Sequence, residues 1–384
     1  MNEYKKLIFF KVNDSGMIGG LPIIDLRNKE VFSHFAENTY CLQEKVRRWT
    51  KLKSYFYFVW KTEFHIICSQ ITDPKSTFLF VSHSLYGKLI KKIKKKLPTV
   101  KIYVFFHNVE AKLACDNNKN KKGLLNKIGF HLKKHYLNES ERLSVLYSDM
   151  VFTLTERDRQ DILKLYEVKG QIIVIPTSLN DTYNPDLQTY NLNKPLKLLF
   201  VGTRFGANED AVVWLAQRIS PFVNATFHIV GNRMDELSAK LKQYNNIVVT
   251  GKVSNDELSK YYYESDVFIS TLFKGGGMKT KIAEAMMYGL PVIGTKESFI
   301  GYEFDHNLIG INTDDEDEII RFIDKLDKNR DLLKVMSMNS RDIFVNRYSI
   351  LQSVSYIGSA LVYPLSEKIY QNANEKELHS NINF

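Results

Sequence analysis

The stretch LFKGGGMKTKIAEAMMYGLPVIGT, residues 272–295, is the most informative about both fold and site. It places a triple glycine, Gly275–Gly277, and two lysines, Lys279 and Lys281, just ahead of a predicted helix whose single acid is Glu284. A strand-like run follows at once. A helix N-terminus offers unpaired N–H groups and a positive dipole end, so a Gly-rich turn there suits phosphate. The lysines add positive charge, and a carboxylate one turn later can accept hydrogen bonds from a ribose diol. We therefore predict a cradle for a nucleoside diphosphate; the alternative is a Gly-rich loop whose lysines face solvent.

Short apolar runs alternate with amphipathic stretches on both sides of this segment. The strand-like runs are KKLIFFKV, STFLFVSH, VKIYVFFHN, MVFTLTE, IIVIPTS, LKLLFVGT, TFHIVGN, NIVVTGKV, DVFISTL and LPVIGT. Helical patterns separate many of them, as in a parallel sheet with crossover helices. A polar, Pro-containing linker near residues 180–194 interrupts the series, which then restarts. We predict an α/β protein with two doubly wound domains, residues 1–190 and 191–344, and a ligand site beyond the strand carboxyl ends, in the cleft between them.

Length and charge constrain the class of protein further. With 384 residues and 44% apolar composition, the chain can bury two cores. The net charge of +10 is uneven, because residues 1–190 hold 31 Lys and Arg against 19 Asp and Glu, and the remainder holds 22 against 24. Such asymmetry indicates a polyanionic partner for the first domain, either nucleic acid or an anionic membrane surface. No nucleic-acid-binding motif accompanies the charge, so we expect no nucleic acid.

Two basic segments, LYGKLIKKIKKKLP (residues 85–98) and NKNKKGLLNKIGFHLKKHY (residues 118–136), carry much of this charge. Each combines lysines with one apolar stripe. A helix of this kind can lie on anionic lipid. The alternative is a surface helix that packs its stripe on its own domain. The first segment lies between two strand-like runs, where a crossover helix is expected.

Targeting signals and metal motifs are weak in this sequence. The start, MNEYKKLIFFKVND, is too short and too charged for a signal peptide, and no run of about 18 apolar residues occurs. Three cysteines without metal-like spacing indicate reduced thiols. His131 and His135 have helical spacing for zinc but no third ligand in view. We predict a cytoplasmic protein, soluble or peripheral on the inner face of the cell membrane, with no metal site.

The segment from residue 272 resembles the donor-site motif of retaining GT-B glycosyltransferases of family four. Glu284 stands at the motif's second acid and is followed by Ala285, Met286 and a Gly-x-Pro-Val strand. The position of the first acid, eight residues earlier, is Gly276. The chain thus resembles the subset of the family that carries a GGG-(x)-K type of loop there.

The resemblance covers nearly the whole chain, most strongly residues 140–310 and weakly before residue 100. It implies a GT-B fold, in which two Rossmann-like domains face each other across a cleft. It also implies a C-terminal helix, at about residues 345–372, that crosses back to pack on the first domain.

In the second domain, LKLLFVGTRFGANED resembles the strand and loop that bind the donor phosphate. Gly202 and Thr203 would allow a close backbone approach, and Arg204 would pair with pyrophosphate oxygens. The family often has a lysine six residues after this arginine, where this chain has Asp210. We infer that Lys279 or Lys281 supplies the missing charge.

Three other loops match by their order in the chain. The turn with Lys252 and Val253 resembles the loop whose backbone holds the nucleobase. His107, at the end of a first-domain strand, resembles a histidine that faces the donor sugar, although a lone histidine at a strand end is more often structural. Gly19 and Gly20 resemble the glycine loop that lets acceptor and donor phosphate approach.

The resemblance implies a hexosyltransferase-type enzyme that moves a sugar, with retention, from a nucleotide-diphosphate donor to a saccharide or lipid-linked saccharide. Synthesis of a capsule, an O-antigen or an exopolysaccharide is the implied setting, without metal or other cofactor. The alternative, motivated by Gly276 and Asp210, is a non-catalytic GT-B subunit that supports a partner transferase. The implied catalytic residues are His107, Arg204, Lys279 and Lys281. The implied donor-binding residues are Gly19, Gly20, Gly202, Thr203, Lys252, Val253, Gly275, Gly276, Gly277, Met278 and Glu284.

Overall fold

A computed structural model of the chain describes residues 4–12, 20–44, 60–118, 124–188 and 195–362. These residues form two parallel sheets of six strands each, with helices on both faces. The predicted α/β class with two doubly wound sheets is confirmed. Among the described residues, no helix combines the length and the apolar character that crossing a bilayer requires.

The first sheet has the strand order β2-β1-β3-β4-β5-β6, and all neighbours are parallel. Its inner strands are rich in aromatic and β-branched residues and are buried on both faces, as parallel sheets require. Its strands are β1 (Tyr4–Lys11), β2 (Ala36–Gln43), β3 (Thr77–Val81), β4 (Lys101–Phe106), β5 (Met150–Thr153) and β6 (Gln171–Val174).

The helices of the first domain are α1 (Gly20–Ser33), α2 (Lys61–Gln70), α3 (Gly87–Lys96), α4 (Glu110–Asn118), α5 (Leu124–Tyr147) and α6 (Glu156–Leu165). The first basic segment is α3, and its Leu89, Ile90 and Ile93 are fully buried against the sheet. This stripe is therefore covered by its own domain. In the second basic segment, Leu132 of α5 is 62% exposed.

The second sheet has the strand order β12-β11-β10-β7-β8-β9. From β7 the chain adds strands on one side and from β10 on the other, so the strand order reverses between β7 and β10. Its strands are β7 (Leu196–Val201), β8 (Ala225–Val230), β9 (Ile247–Thr250), β10 (Val267–Ser270), β11 (Val292–Gly294) and β12 (Gly310–Asn312). Its helices are α7 (Gly206–Arg218), α8 (Ser238–Leu241), α9 (Asn255–Tyr263), α10 (Thr280–Met287), α11 (Glu316–Lys328) and α12 (Arg330–Ile343).

All ten strand-like runs contain a strand, whereas the sequence patterns missed β2 and β12. Both missed strands lie at sheet edges. The β2 sequence AENTYCLQ is mostly solvent-facing, and β12 has only three residues. An edge strand needs no continuous apolar run, because one of its sides and much of its faces remain in water.

The chain returns to the first domain after the second sheet. A π-helical turn, Phe344–Tyr348, leads into α13 (Ile350–Val362). On α13, the Ser353 hydroxyl is 2.8 Å from the Ser178 hydroxyl, and Ile357 is fully buried in a core that includes first-domain side chains. The predicted crossing back of the last helix is confirmed for the described residues.

Candidate functional site

A cavity of about 870 Å³ lies between the carboxyl ends of the two sheets. Its second-domain wall comes from the loop after β7, the end of β10 and the glycine loop before α10. Its first-domain wall comes from Pro22–Ile24 of α1 and from His107 and Asn108 after β4. The β7 and β10 ends mark the point where the strand order reverses. Ligands of doubly wound sheets bind at such switch points.

The glycine loop packs directly on the first domain. Gly277 has φ of +59°, a left-handed conformation that favours glycine. A Cβ there would lie 3.2 Å from both the Asn108 Oδ1 and the His107 carbonyl oxygen, and one on Gly276 would lie 2.6 Å from Asn108 Oδ1. The glycines are therefore required by this contact between domains as well as by any ligand.

Helix α10 points its N-terminus at the cavity, because Lys279, Thr280 and Lys281 all line it. The N-cap residue is Lys279, whose own side chain does not cap the helix, although the Tyr302 hydroxyl accepts a hydrogen bond from the Ala283 N–H at 2.9 Å. Lys281 thus belongs to the first helical turn instead of preceding the helix. Uncapped N–H groups at a helix start are well suited to bind an anion.

Lys279 is a half-buried cation held at the cavity wall. Its Nζ lies 2.8 Å from Glu297 Oε1 and 3.1 Å from the Gly277 carbonyl oxygen. Burial lowers the pKa of Lys279, and the hydrogen bond to Glu297 opposes that shift. Glu297 Oε2 also lies 3.3 Å from Nη1 of Arg157 in the first domain. Glu297 therefore links the candidate phosphate-binding lysine to the opposite domain.

The remaining cations differ in how far they are neutralised. Lys281 forms an ion pair with Glu284, which does not line the cavity. Lys252 lines the cavity, is exposed, and has no ion-pair partner within the described part of the chain. Its side chain is available to a ligand anion, whereas the resemblance implied only that the backbone of this turn holds the nucleobase.

Arg204 does not line the cavity. Its Nε lies 3.0 Å from Glu209 Oε2, and its Nη1 forms a second ion pair with Glu236. Asp210, at the position where the family often has lysine, pairs with Lys274 at 2.5 Å on the surface. The structure therefore does not bring Arg204 or Asp210 to the other candidate residues.

His107 is nearly buried at the first-domain wall. Its Nε2 lies 2.9 Å from the Ser82 carbonyl oxygen and 3.2 Å from Asp25 Oδ1, and the Ser82 hydroxyl donates to the same carboxylate. The neighbouring His83 ring lies 5.8 Å away. Burial, and secondarily repulsion from His107, lower the pKa of His83 to about 3, so His83 is neutral. Sequence reasoning missed Asp25, since nothing in the chain marks its approach to His107.

Glu141, also missed, anchors the segment that follows His107. Its carboxylate accepts hydrogen bonds from the backbone N–H groups of Glu110 (2.8 Å) and Ala111 (3.1 Å), and from the Tyr166 hydroxyl (2.9 Å). These contacts fix the start of α4. Burial raises the pKa of Glu141 to about 7, although the hydrogen bonds act in the opposite direction.

The structure gathers most of the predicted residues around one cavity. Those that line it are His107, Gly202, Thr203, Lys252, Gly276, Gly277, Met278, Lys279 and Lys281. Those that do not line it are Arg204, Val253, Gly275 and Glu284, and the surroundings of Gly20 are not described. Gly19 lies outside the described residues. Within the described ranges, no group of three potential ligand side chains is arranged to hold a metal ion.

Comparison with solved structures defines the fold class as GT-B. Sucrose-phosphate synthase from Thermosynechococcus elongatus superposes with a TM-score of 0.66 at 11% identity, covering 93% of this chain and 98% of that one. HepE from Anabaena, in complex with UDP and glucose, superposes with a TM-score of 0.66 at 11% identity, covering 94% and 100%. At these identities the likeness concerns the fold alone.

The second domain provides the more specific match. Residues 195–329 match the family model described as Glycosyl transferases group 1. An uncharacterized 41.2 kDa protein in the cps region of Klebsiella pneumoniae is 27% identical over 133 residues, which are 34% of this chain and 36% of that protein. The chain spans less than half the length of each of the curated relatives it matches.

Proposed function

We propose that this chain is a retaining glycosyltransferase of bacterial surface-polysaccharide synthesis. It would move a hexosyl group from a nucleoside-diphosphate donor to a saccharide or a lipid-linked saccharide. The observation that carries the proposal is the convergence of the α10 N-terminus, Lys279, Lys252 and the β7 loop on one cavity at the sheet's switch point. The group 1 match over this same domain supports the reaction class, and the cps-region relative supports the polysaccharide setting.

The arrangement suits departure of a diphosphate. As the bond to the sugar breaks, negative charge develops on the leaving diphosphate. The N–H groups at the start of α10, together with Lys279 and Lys252, would stabilise that charge. The proposal includes no metal cofactor, because protein cations and helix N–H groups supply the positive charge.

Thermal shift with a panel of nucleoside diphosphates and nucleotide sugars tests the donor site. A ligand that binds only the folded state raises Tm. At a free concentration one hundred times its Kd, the ligand adds about 2.7 kcal/mol to the free energy of unfolding. We expect the Lys279→Ala variant to lose most of the shift, and Lys274→Ala, on the surface, to keep it. If no member of the panel raises the Tm of the wild-type chain, the proposal is wrong.

A non-catalytic GT-B subunit is the second candidate. The ion pairs that occupy Arg204, and the absence of a side chain at Gly276, favour it. An assay for slow hydrolysis of the best-binding nucleotide sugar separates the two candidate functions, because a non-catalytic subunit would show no hydrolysis. Anomeric NMR of the product tests retention.

The basic first domain motivates a peripheral membrane location, which brings the chain to a lipid-linked acceptor. Since the α3 stripe is buried, we propose an electrostatic contact, worth about 1 kcal/mol for each lysine near the surface. Flotation should then favour anionic over neutral vesicles and weaken with salt. Equal flotation with both vesicle types would contradict this location.

A further inference from the structure

We infer that Asn108 of the first domain determines which sugar the donor site accepts, by hydrogen bonding to hydroxyl groups of that sugar. The inference rests on the proposed function, because it needs a nucleotide sugar in the cavity. Asn108 is neither one of the lysines of the proposed donor site nor part of the glycine loop.

Asn108 occupies the boundary between the phosphate-binding elements and the opposite domain. It lines the main cavity, and it also lines a second cavity of about 90 Å³ on the far side of the glycine loop. Its Oδ1 lies 2.6 Å from the position of a Cβ on Gly276 and 3.2 Å from that of a Cβ on Gly277. A diphosphate at the α10 N-terminus would therefore present its attached group to Asn108.

The side chain suits a neutral, hydroxyl-bearing group. An amide has both donors and acceptor lone pairs, and sugar hydroxyls need both. Burial raises the pKa of the Glu110 carboxylate, and Asn108 is close enough to that carboxylate to lower its pKa by a smaller amount. The Glu110 backbone N–H in turn donates to Glu141 at 2.8 Å. Glu141 thus fixes the backbone two residues after Asn108 before a ligand arrives.

Neighbouring groups have other roles. His107 uses Nε2 for the Ser82 carbonyl oxygen and Asp25, and Lys279 is a cation suited to phosphate. Gly276 has no side chain, and the Asn108 amide fills the space that one would take. Among the described first-domain residues that line the cavity, Asn108 is thus the polar side chain left to discriminate between sugars.

The test is the ratio of two dissociation constants, measured by calorimetry: that of the nucleoside diphosphate over that of its nucleotide sugar. For Asn108→Ala, we expect the sugar to bind about tenfold more weakly, as when one hydrogen bond is lost. The nucleoside diphosphate itself should bind within about twofold of wild type. In this variant, the dissociation constants of different sugars carried by the same nucleotide should become more alike. The matched control is Asn255→Ala, on the second-domain wall of the same cavity, which should leave the ratio unchanged.

A second variant guards against a merely structural effect. A methyl group in Gly276→Ala would push the amide away, so this variant should lower the ratio as Asn108→Ala does. The double variant should show no further loss. An unchanged ratio in Asn108→Ala, with normal diphosphate binding, would overturn the inference and leave the proposed function intact. If the wild-type chain binds no nucleotide, the proposed function itself fails.

Discussion

Lys279 illustrates how one side chain can be both held and available. Its Nζ is fixed by Glu297 and by the Gly277 carbonyl oxygen, yet it lines the cavity. A cation that is already oriented needs little reorganisation when a charged ligand arrives, which is the condition for strong electrostatic stabilisation. The same pairing with Glu297 means that an incoming diphosphate must compete with a carboxylate.

Replacement of Lys279 by alanine should lower kcat about a hundredfold, as for loss of one preorganised donor to a developing anion. Steady-state kinetics with the best donor measures this, and Lys274→Ala, whose partner is the surface residue Asp210, is the control. The resemblance predicts a similar loss for Arg204→Ala. Since Arg204 is paired with two acids away from the cavity, near-normal turnover in that variant would show that it keeps those partners during turnover.

Glu141 should make stability depend on pH. Burial raises its folded-state pKa to about 7 from an ordinary 4.5, so the folded state binds the proton more tightly than the unfolded state. Stability from this group is therefore fully present below about pH 4.5 and is lost as pH rises towards about 7, by up to about 3 kcal/mol. Urea unfolding of wild type and Glu141→Gln across this range measures it. The free energy of unfolding of wild type, relative to that of Glu141→Gln, should fall as pH rises over this range. The control Glu139→Gln, changed near the surface, should show the same pH dependence as wild type.

At the scale of elements, the loop before α10 combines two requirements. The proposed anion site needs free N–H groups at the start of α10, and the loop must let the first domain approach within contact distance of its backbone. Three consecutive glycines satisfy both, because they add no side chain and permit positive φ at Gly277. The conformation is thus as important as the charge of the lysines that follow.

Gly277→Ala should destabilise the chain by about 1–3 kcal/mol, since it forces a residue with a Cβ into a left-handed conformation against Asn108. Gly129→Ala is the control. Gly129 lies on the exposed side of α5 with no atom near the added methyl group, so this change should stabilise by about 0.4–1 kcal/mol. Equal effects in chemical denaturation would contradict the role given to the loop.

At the scale of the whole molecule, the two domains meet through a shared apolar cluster and through polar contacts. The glycine loop touches Asn108, Glu297 pairs with Arg157, and α13 returns from the second domain to pack on the first. The cavity exists because these contacts hold the two sets of strand ends opposite each other. Its shape thus depends on residues far from its walls.

Ile357→Ala on α13 should reduce the free energy of unfolding by about 2–5 kcal/mol, because it opens a cavity in a core shared by the two domains. Leu351→Ala on the same helix should change it by less than about 0.5 kcal/mol, since Leu351 is 78% exposed. Equilibrium urea unfolding compares them. Similar values for both would mean that α13 does not secure the domain contact.

Sequence patterns predicted ten of the twelve strands of the described residues, the two-domain order and the helix that follows the glycine loop, because each depends on residues close together in the chain. Apolar periodicity reports burial of a single element, and glycine followed by a helical pattern reports a local backbone conformation. The apolar patterns did not predict the edge strands β2 and β12, because pairing with a neighbouring strand, and not their own sequences, makes them strands. For the same reason Arg204 looked free, since Glu236, 32 residues away, gives no sign of pairing with it.

The sequence by itself thus determined an α/β chain with a glycine-rich loop at a helix start, because such features are encoded by neighbouring residues. Tertiary structure alone decided that Asp25 meets His107, that Asn108 fills the space above Gly276, and that Glu141 anchors α4. Each of these contacts joins residues far apart in sequence. Their energies depend on burial and distance, which exist only after the elements have packed.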